Sequence, residues 1–431
     1  MRGLLFTYGL TMVGAVISLS APWYGLLIYI CFSTLRPDTL WFWSVAPGPY
    51  TRIVAISVLL GWAGQGFGNW NVGAARWPMY CIIGFWIWIL LSGLFAPYPQ
   101  VAWAYADLFS RILLPLVVGY TLMDSQEKVR QLCWVLVLSI GFVGYEANLD
   151  YLQGGTRLMT YGYFGVDNNS ACIGLITGAG LAFFLGIAEK VWYRKLLCFA
   201  IAAMLVHAPM FGDSRGGMMG VAATGIAAFV VMPKRPKYFL LYGLAVFLAL
   251  ELAGDHVRER FLSSFVSREE LDGSAASRLV MWEQCWDAMQ RFPLFGVGPN
   301  HWPLAAQEMY GWTHGLRAHN LWLEIGASLG FPGLFFLAGF YGLTSIFLWW
   351  RWFFKRFPDE WSDNVARGLI VSLSGFAVSA MFVSLDAMEP PYFVALLGGG
   401  LIRWADAPEV ECEEEEETAP LAEWETVESF A

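Results

Sequence analysis

An arginine, a histidine and an asparagine precede an apolar run in the stretch RAHNLWLEIGASLGFPGLF, residues 317–335. We expect His319 to begin a helix that runs toward a membrane, where the helix dipole disfavours a second positive charge. That setting favours the neutral imidazole that a general base needs near pH 7. Asn320 is suited to hydrogen-bond a neighbour or a sugar hydroxyl, and Glu324, one turn on, can orient a ring or pair with an arginine. This stretch therefore favours proton-transfer chemistry at the edge of an apolar segment.

Arginines, but no lysines, lie in the hydrophilic segment 254–317. Arginine holds phosphate oxygens with a planar fork, whereas lysine is a point charge. For any single arginine, pairing with one of the eight acids of the segment is the plainer interpretation. The absence of lysine and the gathering of histidines together favour an anion site. The residues concerned are Arg258, Arg260, Arg268, Arg278, Arg291, Arg317, His256, His301, His314 and His319.

The stretch SRLVMWEQCWDAMQRF, residues 277–292, has apolar residues at 279, 282, 286 and 289. This spacing predicts an amphipathic helix that can lie flat on a membrane surface. Ser277 is the expected cap, which would place Arg278 at the positively polarised end of the helix. A helix N-terminus together with an arginine favours an anion. An ordinary surface helix is the alternative interpretation.

Two further stretches place polar residues beside apolar segments. In FGDSRGGMMG, residues 211–220, Arg215 is a functional candidate because ionisable residues at membrane depth are costly, and the glycines would let a phosphate approach the backbone. A tight interfacial turn is the equally weighted alternative. In GYFGVDNNSACIG, residues 162–174, Asp167 and Asn168 are expected to cap the next helix, with sugar contact as the other role.

The composition is that of a polytopic membrane protein. Of the 431 residues, 57% are hydrophobic and 14% are charged, and the 22 Trp and 18 Tyr fit aromatic belts at two interfaces. We expect an all-α fold of about 12 transmembrane helices, with one large periplasmic loop that contains short amphipathic helices. The expected parts are N-terminal transmembrane helices in 1–253, the loop in 254–318, C-terminal transmembrane helices in 319–403 and an acidic, disordered cytoplasmic tail in 404–431.

Clusters of positive charge predict the orientation of the chain. Arg2 favours a cytoplasmic N-terminus, although thirteen apolar segments with a cytoplasmic C-terminus would put it outside. A broken or re-entrant hairpin in 4–35, or one short segment that does not span, would resolve this conflict. The clusters expected to face the cytoplasm are 127–130, 189–195, 233–237 and 351–356.

The acidic tail accounts for the negative net charge. Residues 404–431 contain eleven acids and no Lys or Arg, and without them the formal net charge of −9 becomes +2. We interpret the tail as a solvated extension, with partner binding as the alternative. The seven cysteines form no CxxC pair and the histidines form no HxxxH or HExxH arrangement. The sequence therefore indicates neither a metal centre nor a disulfide framework, and no cofactor is expected.

Three motifs in order resemble those of bacterial O-antigen ligases. HNLWLEIGASLGFPG, with His319, Asn320, Gly330 and Gly333, is similar to the pattern at the end of the large periplasmic loop in that family. SRLVMW at 277–282 resembles the arginine motif earlier in the loop, although Leu279 and Trp282 depart from its usual form. SRG at 214–216 resembles the arginine at the outer end of a preceding span. The superfamily also includes O-antigen polymerases and protein O-oligosaccharyltransferases.

The N-terminal stretches MRGLLFTYGL and APWYGLLIYICFSTLRPDTLWFW look like the subgroup of probable O-glycosylation ligases associated with exosortase A systems. The resemblance implies a metal-independent transferase of the bacterial inner membrane, with its active site on the periplasmic side. It implies a glycan donor on undecaprenyl diphosphate, a lipid or protein acceptor, and no nucleic acid partner. A polysaccharide polymerase is one alternative. A lipid-linked glycan transporter is another alternative. It predicts charges deep in several spans and duplicated halves, whereas the sequence has few such charges and no duplication.

Roles for individual residues follow from the same resemblance. His319 would act as the general base, and Arg278 and Arg215 would stabilise the diphosphate. The residues expected to bind substrate are Arg317, Asn320, Asp167 and Asn168.

Overall fold

The structure, a computed structural model, describes residues 2–252, 273–313, 315–385 and 387–406. All regular structure in these ranges is helical, without strands, which confirms the expected all-α class. The helices are α1 (Arg2–Ser20), α2 (Pro22–Leu35), α3 (Pro37–Leu40), α4 (Tyr50–Gly64), α5 (Arg76–Gly93), α6 (Pro99–Leu122), α7 (Gln126–Leu152), α8 (Arg157–Tyr161), α9 (Asn168–Ala188), α10 (Trp192–Phe211), α11 (Arg215–Val231), α12 (Pro236–Leu252), α13 (Gly273–Arg291), α14 (Trp302–Tyr310), α15 (Leu321–Trp350), α16 (Glu360–Ser379) and α17 (Glu389–Asp406).

Several sequence-based expectations fall outside the described residues. They concern the acidic tail beyond residue 406 and part of the hydrophilic segment, namely His256, Arg258, Arg260, Arg268 and His314.

Seven helices in the described part of the chain are long and apolar enough to cross a membrane, judged by length and composition. Two shorter apolar helices, α4 and α11, accompany them. The chain is therefore a polytopic membrane protein, while the number of spans and the compartment that each end faces stay predictions. The seven stretches are Gly3–Ser20, Gly73–Gly93, Pro99–Leu122, Gln126–Leu152, Asn168–Ala188, Trp192–Phe211 and Leu321–Lys355.

The helices run between two opposite ends of the bundle. At one end lie the turns at 65–75, 123–125, 189–191, 232–235 and 351–359. Together with the first turns of the helices that follow them they contain all six lysines, and we call this the basic end. At the other end, which we call the loop end, lie the segments 36–49, 153–167, 212–214, 292–320 and 380–388. Long-range hydrogen bonds tie the segments of each end together. At the basic end, the Asn69 N–H donates to the Thr121 carbonyl (2.9 Å), and at the loop end Arg157 donates to the Thr39 carbonyl (2.7 Å).

The first two helices form an antiparallel hairpin, which accounts for the region 4–35. α1 ends at Ser20 because Pro22 lacks the N–H that would continue the helix, and the same proline suits the first turn of α2. Gly3 packs against Trp41 at the loop end, whereas the carbonyl of Ser20 accepts from Gln65 (2.7 Å) at the basic end. α1 therefore runs the full distance between the two ends.

Close helix packing in the interior depends on small residues. α9 is almost wholly buried and runs against α16. A Cβ at Gly368 would lie 3.1 Å from the Leu181 Cα and 3.2 Å from the Gly180 carbonyl oxygen, so the two backbones touch there. The Ser372 hydroxyl accepts from the Leu181 N–H (3.0 Å) across this contact. Small residues and interhelical hydrogen bonds are the usual means of joining helices in a membrane.

α15 is broken at Gly330, where φ is 70° and ψ is −175°. This conformation is accessible almost only to glycine. The break releases the carbonyls of Ala327 and Ser328 from their helical partners. They accept instead from the N–H groups of Val297 and Gly298, at 2.9 Å each. The segment that follows α13 is thereby bonded to the first half of α15.

Candidate functional site

His319 lies at the loop end, two residues before α15, and adopts a left-handed backbone conformation with φ 49°. Non-glycine residues rarely adopt this conformation, so the surrounding contacts must hold it. On one side, the indole N–H of Trp282 donates to the Ala318 carbonyl (2.8 Å). On the other side, the Leu321 N–H donates to the Ala380 carbonyl (2.8 Å). The half-buried imidazole is therefore fixed between α13 and the segment that joins α16 to α17.

A buried carboxylate organises the backbone before His319. Glu324 accepts from the Arg317 guanidinium at 2.8 Å and from the Ala318 N–H at 2.9 Å. The Ser384 hydroxyl donates to the same carboxylate. The expected pairing of Glu324 with an arginine is confirmed. Because three donors satisfy the buried charge, Glu324 stabilises the turn that carries His319.

Three polar residues of the predicted site act on backbone groups. Asn320 caps α15 by accepting from the N–H three residues on (3.1 Å), and Asp167 caps α9 in the same way (3.0 Å). The expected capping role of Asp167 is confirmed. Asn168 is the first residue of α9 and donates from its side chain to the Gly212 carbonyl (3.1 Å). Contact with a sugar stays a prediction for all three.

The helix that carries Arg278 starts earlier than its sequence pattern predicts. α13 begins at Gly273, so Ser277 lies inside the helix and is not its cap, and Arg278 is not in its first turn. The predicted placement of Arg278 at a polarised helix end is therefore wrong. Arg278 instead lies one turn before Trp282 on the same face, because residues four apart in a helix are neighbours. That face meets the Ala318 carbonyl next to His319.

The electrostatic surroundings of His319 show which charges are near it. Its pKa lies below the ordinary histidine value, mainly because the imidazole is half-buried, and next because the positive charge of Arg278 opposes protonation. Asp167 acts in the opposite direction, and Arg317 lowers the pKa further. The charges that act on this imidazole therefore come from three separate parts of the sequence.

Packing connects the start of α11 to the helix that carries Arg278. Arg215 begins α11 directly after Ser214, which caps that helix. The next residue, Gly216, faces Phe382, because a Cβ there would lie 2.7 Å from the Phe382 Cβ. The Phe382 ring in turn lies 6.4 Å from the Trp282 ring, between centroids. The start of α11 and the face of α13 that carries Arg278 therefore share one aromatic contact.

Two other residues of the hydrophilic segment have structural partners. His301 is buried, and its Nε2 accepts from the Tyr98 N–H (3.2 Å) while its Nδ1 faces the Pro299 carbonyl (2.7 Å). A carbonyl only accepts, so Nδ1 carries the proton and the ring joins two loops. Arg291 forms an ion pair with Asp287 (2.8 Å) on the exposed side of α13. Neither residue takes part in the group around His319.

The segment 380–385 contributes contacts that the sequence analysis missed. Ala380, Phe382 and Ser384 contact the start of α15, the start of α11 and Glu324, respectively. A signal was present, since polar residues interrupt two long apolar stretches at that point. Their partners lie far away in the sequence, however, so the contacts themselves could not be predicted.

The charges of this group suit an anion. Arg215, Arg278 and Arg317 supply guanidinium groups. Three carboxylates lie in the same segments: Asp167, which caps a helix, Glu324, which is paired, and Asp213, two residues before Arg215. A diphosphate is the type of ligand that guanidinium groups bind best. No cluster of three or more His, Cys, Asp or Glu side chains suited to a metal occurs within the residues that the structure describes.

Comparison with known families agrees with the motif pattern. Residues 200–338 match the profile of a family described as O-antigen ligase, and this range contains Arg215, Arg278, Arg317 and His319. Residues 1–183 match a family of unknown function (DUF5935). Among curated proteins, none matches the chain. The first match supports the O-antigen ligase superfamily and a role in glycosyl transfer at a membrane, while the exosortase-associated subgroup stays a prediction.

Proposed function

We propose that this chain transfers a glycan from undecaprenyl diphosphate to an acceptor hydroxyl on a lipid or a protein. The observation that carries the proposal is the position of a half-buried His319 beside Arg278, inside the range that matches the O-antigen ligase family. A base beside a cation is what the two halves of this reaction need. The acceptor loses a proton, and the departing diphosphate gains negative charge.

The proposed reaction begins with the acceptor. Its oxygen attacks the anomeric carbon of the donor sugar while His319 accepts the hydroxyl proton. The lowered pKa of His319 keeps the imidazole neutral near pH 7, so that its lone pair is available. A new bond between the anomeric carbon and the acceptor oxygen forms as the bond to the diphosphate oxygen breaks. The imidazolium then passes its proton to the diphosphate or to water.

The leaving group defines the role of the arginines. Undecaprenyl diphosphate departs with the electron pair of the broken bond, and Arg278 and Arg215 stabilise the growing charge electrostatically. Arg317, which holds Glu324, is a weaker candidate for the same role. Asn320, Asp167 and Asn168 are the proposed sugar contacts. No metal takes part in this proposal, since guanidinium groups neutralise the diphosphate.

The expected orientation of the chain in the membrane agrees with this chemistry. The loop end holds His319, whereas the lysine-rich turns lie at the opposite, basic end. Positively charged turns face the cytoplasm in most membrane proteins. We therefore propose that the site opens to the periplasmic side of the bacterial inner membrane.

The test is reconstitution of the full chain in vesicles with a lipid-linked glycan and candidate acceptors. We expect His319→Ala to lower the rate of transfer by about 10²–10⁴-fold, as loss of a general base does. Arg278→Ala and Arg215→Ala should each lower it by about 10²–10³-fold. Arg291→Ala is the matched control, because it removes an arginine from the same helix whose partner is Asp287.

The products distinguish the alternatives. A single glycan on an added acceptor supports the proposal, and a ladder of repeat lengths formed from donor alone would make the chain a polymerase instead. Unchanged transfer in all three site variants would overturn the mechanism. Activity should survive a chelator such as EDTA, and its loss there would contradict the metal-independent mechanism.

A further inference from the structure

A polar pocket of about 710 Å³ opens at the basic end, far from His319. Its walls are formed by the start of α7, the turn between α9 and α10, the start of α12 and the start of α16. Six cationic side chains line it: Arg130, Lys190, Arg194, Lys195, Arg235 and Lys237. The charged side chains that line the pocket are therefore mainly positive.

Three acids line the pocket, Glu189, Asp359 and Glu360, and two of them are engaged by other groups. Asp359 caps α16 and also accepts from Gln126 (2.7 Å), and Glu360 lies 3.7 Å from Arg235 in an ion pair. The other five cations form no ion pair within the residues that the structure describes. Arg130 stacks over the Trp361 ring at 4.7 Å, which positions the charge without neutralising it. The pocket thus has positive charge available to an anionic ligand.

An anionic segment of the same chain leaves the bundle at this end. Residues 407–431 contain ten glutamates and no Lys or Arg, five of them consecutive at 413–417. The segment follows α17, whose last residue, Asp406, forms an ion pair with Arg351. The charge of the segment is opposite to that of the pocket.

The segment is long enough to reach the pocket. The Arg351 guanidinium that holds Asp406 also lies 5.4 Å from the Phe357 ring centroid. Phe357 is two residues before Asp359, which lines the pocket. From Asp406 to residue 413 an extended chain spans about 23 Å. Such a chain can bridge the contacts that lead from Asp406 through Arg351 and Phe357 to the wall of the pocket.

We propose that the basic pocket binds the glutamate run 413–417 of the same chain. A tethered ligand has an effective concentration that an untethered anion must exceed to compete. Five consecutive carboxylates match a pocket with several cations better than a single phosphate does. The pocket is thus an intramolecular docking site for the acidic tail, independent of the transfer chemistry at the other end of the bundle.

Cys412, which adjoins the glutamate run, provides the test. Lys190→Cys introduces a thiol in the exposed rim of the pocket, and a short bismaleimide is applied to the full chain in nanodiscs of phosphatidylcholine. We expect an intramolecular crosslink to Cys412 that Cys412→Ser abolishes. Lys355→Cys is the matched control, because Lys355 is exposed at the basic end, nearer to Arg351 but outside the pocket.

The pocket variant should crosslink at least about tenfold faster than the control, since a docked tail is held at a high effective concentration. Crosslinking should fall when the five glutamates are replaced by glutamine. It should also fall between about 0.1 M and 1 M salt, where the Debye length shrinks from about 10 Å to 3 Å. Equal rates at Lys190→Cys and Lys355→Cys would overturn the proposal, as would a product that links two chains.

Anionic lipid is the competing occupant. In nanodiscs that contain phosphatidylglycerol, the crosslink should persist if the tail is the ligand. A fall to the rate of the control variant would show that lipid headgroups fill the pocket in a membrane and would also overturn the proposal.

Discussion

Arg317 and Glu324 form an ion pair of 2.8 Å that bridges the turn in which His319 lies. Arg317 is two residues before the histidine, and Glu324 lies in the first turn of the helix that follows. The same carboxylate accepts from the Ala318 N–H (2.9 Å). The pair therefore fixes the left-handed conformation of His319 from both sides in the sequence.

Replacing the buried carboxylate tests this arrangement. Glu324→Gln keeps the shape but removes the charge, so the hydrogen bonds from Arg317 and Ala318 weaken. A hydrogen bond to a charged group contributes about 1.5–3 kcal/mol, so we expect a lower melting temperature and about tenfold slower transfer. Glu251→Gln, at an exposed glutamate near the end of α12, should change neither quantity. Equal effects of the two variants in melting and transfer assays would contradict a positioning role for Glu324.

The pH dependence of transfer should reveal the neighbours of His319. The base is lost when the imidazole is protonated, so kcat/KM should fall only at pH values below the ordinary pKa of histidine. Arg278→Gln removes a charge that lowers this pKa, so the acid limb should move to higher pH. Asp167→Asn removes a charge that raises it, so the limb should move to lower pH. Shifts in the same direction, or none, would contradict the geometry.

Position 330, where α15 is broken, should not accept any side chain. A Cβ at Gly330 would lie 2.3 Å from the Leu294 carbonyl oxygen, and the backbone conformation has positive φ. We expect Gly330→Ala to cost at least about 2 kcal/mol of unfolding free energy and to reduce expression. Gly342→Ala is the control in the same helix, since a Cβ there meets no atom within 4 Å. It should stay within about 1 kcal/mol of the parent in thermal unfolding.

The indole of Trp282 should affect transfer through one hydrogen bond. Trp282→Phe keeps a ring against Phe382 but removes the N–H that donates to the Ala318 carbonyl. The lost bond corresponds to about 1 kcal/mol, so transfer should slow by about fivefold. Trp286→Phe changes an exposed tryptophan on the same helix and serves as the control. A normal rate for Trp282→Phe, measured with saturating donor, would exclude this role.

The sequence predicted features that depend on neighbouring residues. The all-α class and the cap at Asp167 follow from local side-chain chemistry, as does pairing with an arginine, one of two roles considered for Glu324, and the structure contains each of them. The start of α13 was not predictable from the apolar spacing, because that spacing begins only at Leu279. The contacts of the segment 380–385 were also missed, since they join residues far apart in the chain. The expected convergence of guanidinium groups beside His319 stays a prediction, supported for Arg278 and Arg317 by their effect on the pKa of the imidazole.

The discontinuity at Gly330 divides α15 into a short first segment, 321–329, and a longer second segment, 331–350. The first segment directly follows Asn320 and His319. Near its end, its carbonyls accept hydrogen bonds from the backbone N–H groups of residues 297–298. Residues 297–298 follow the helix that bears Arg278, so two backbone hydrogen bonds connect the exit of that helix to the segment that begins beside His319. The relative placement of base and guanidinium therefore depends on main-chain bonds that no side-chain substitution removes.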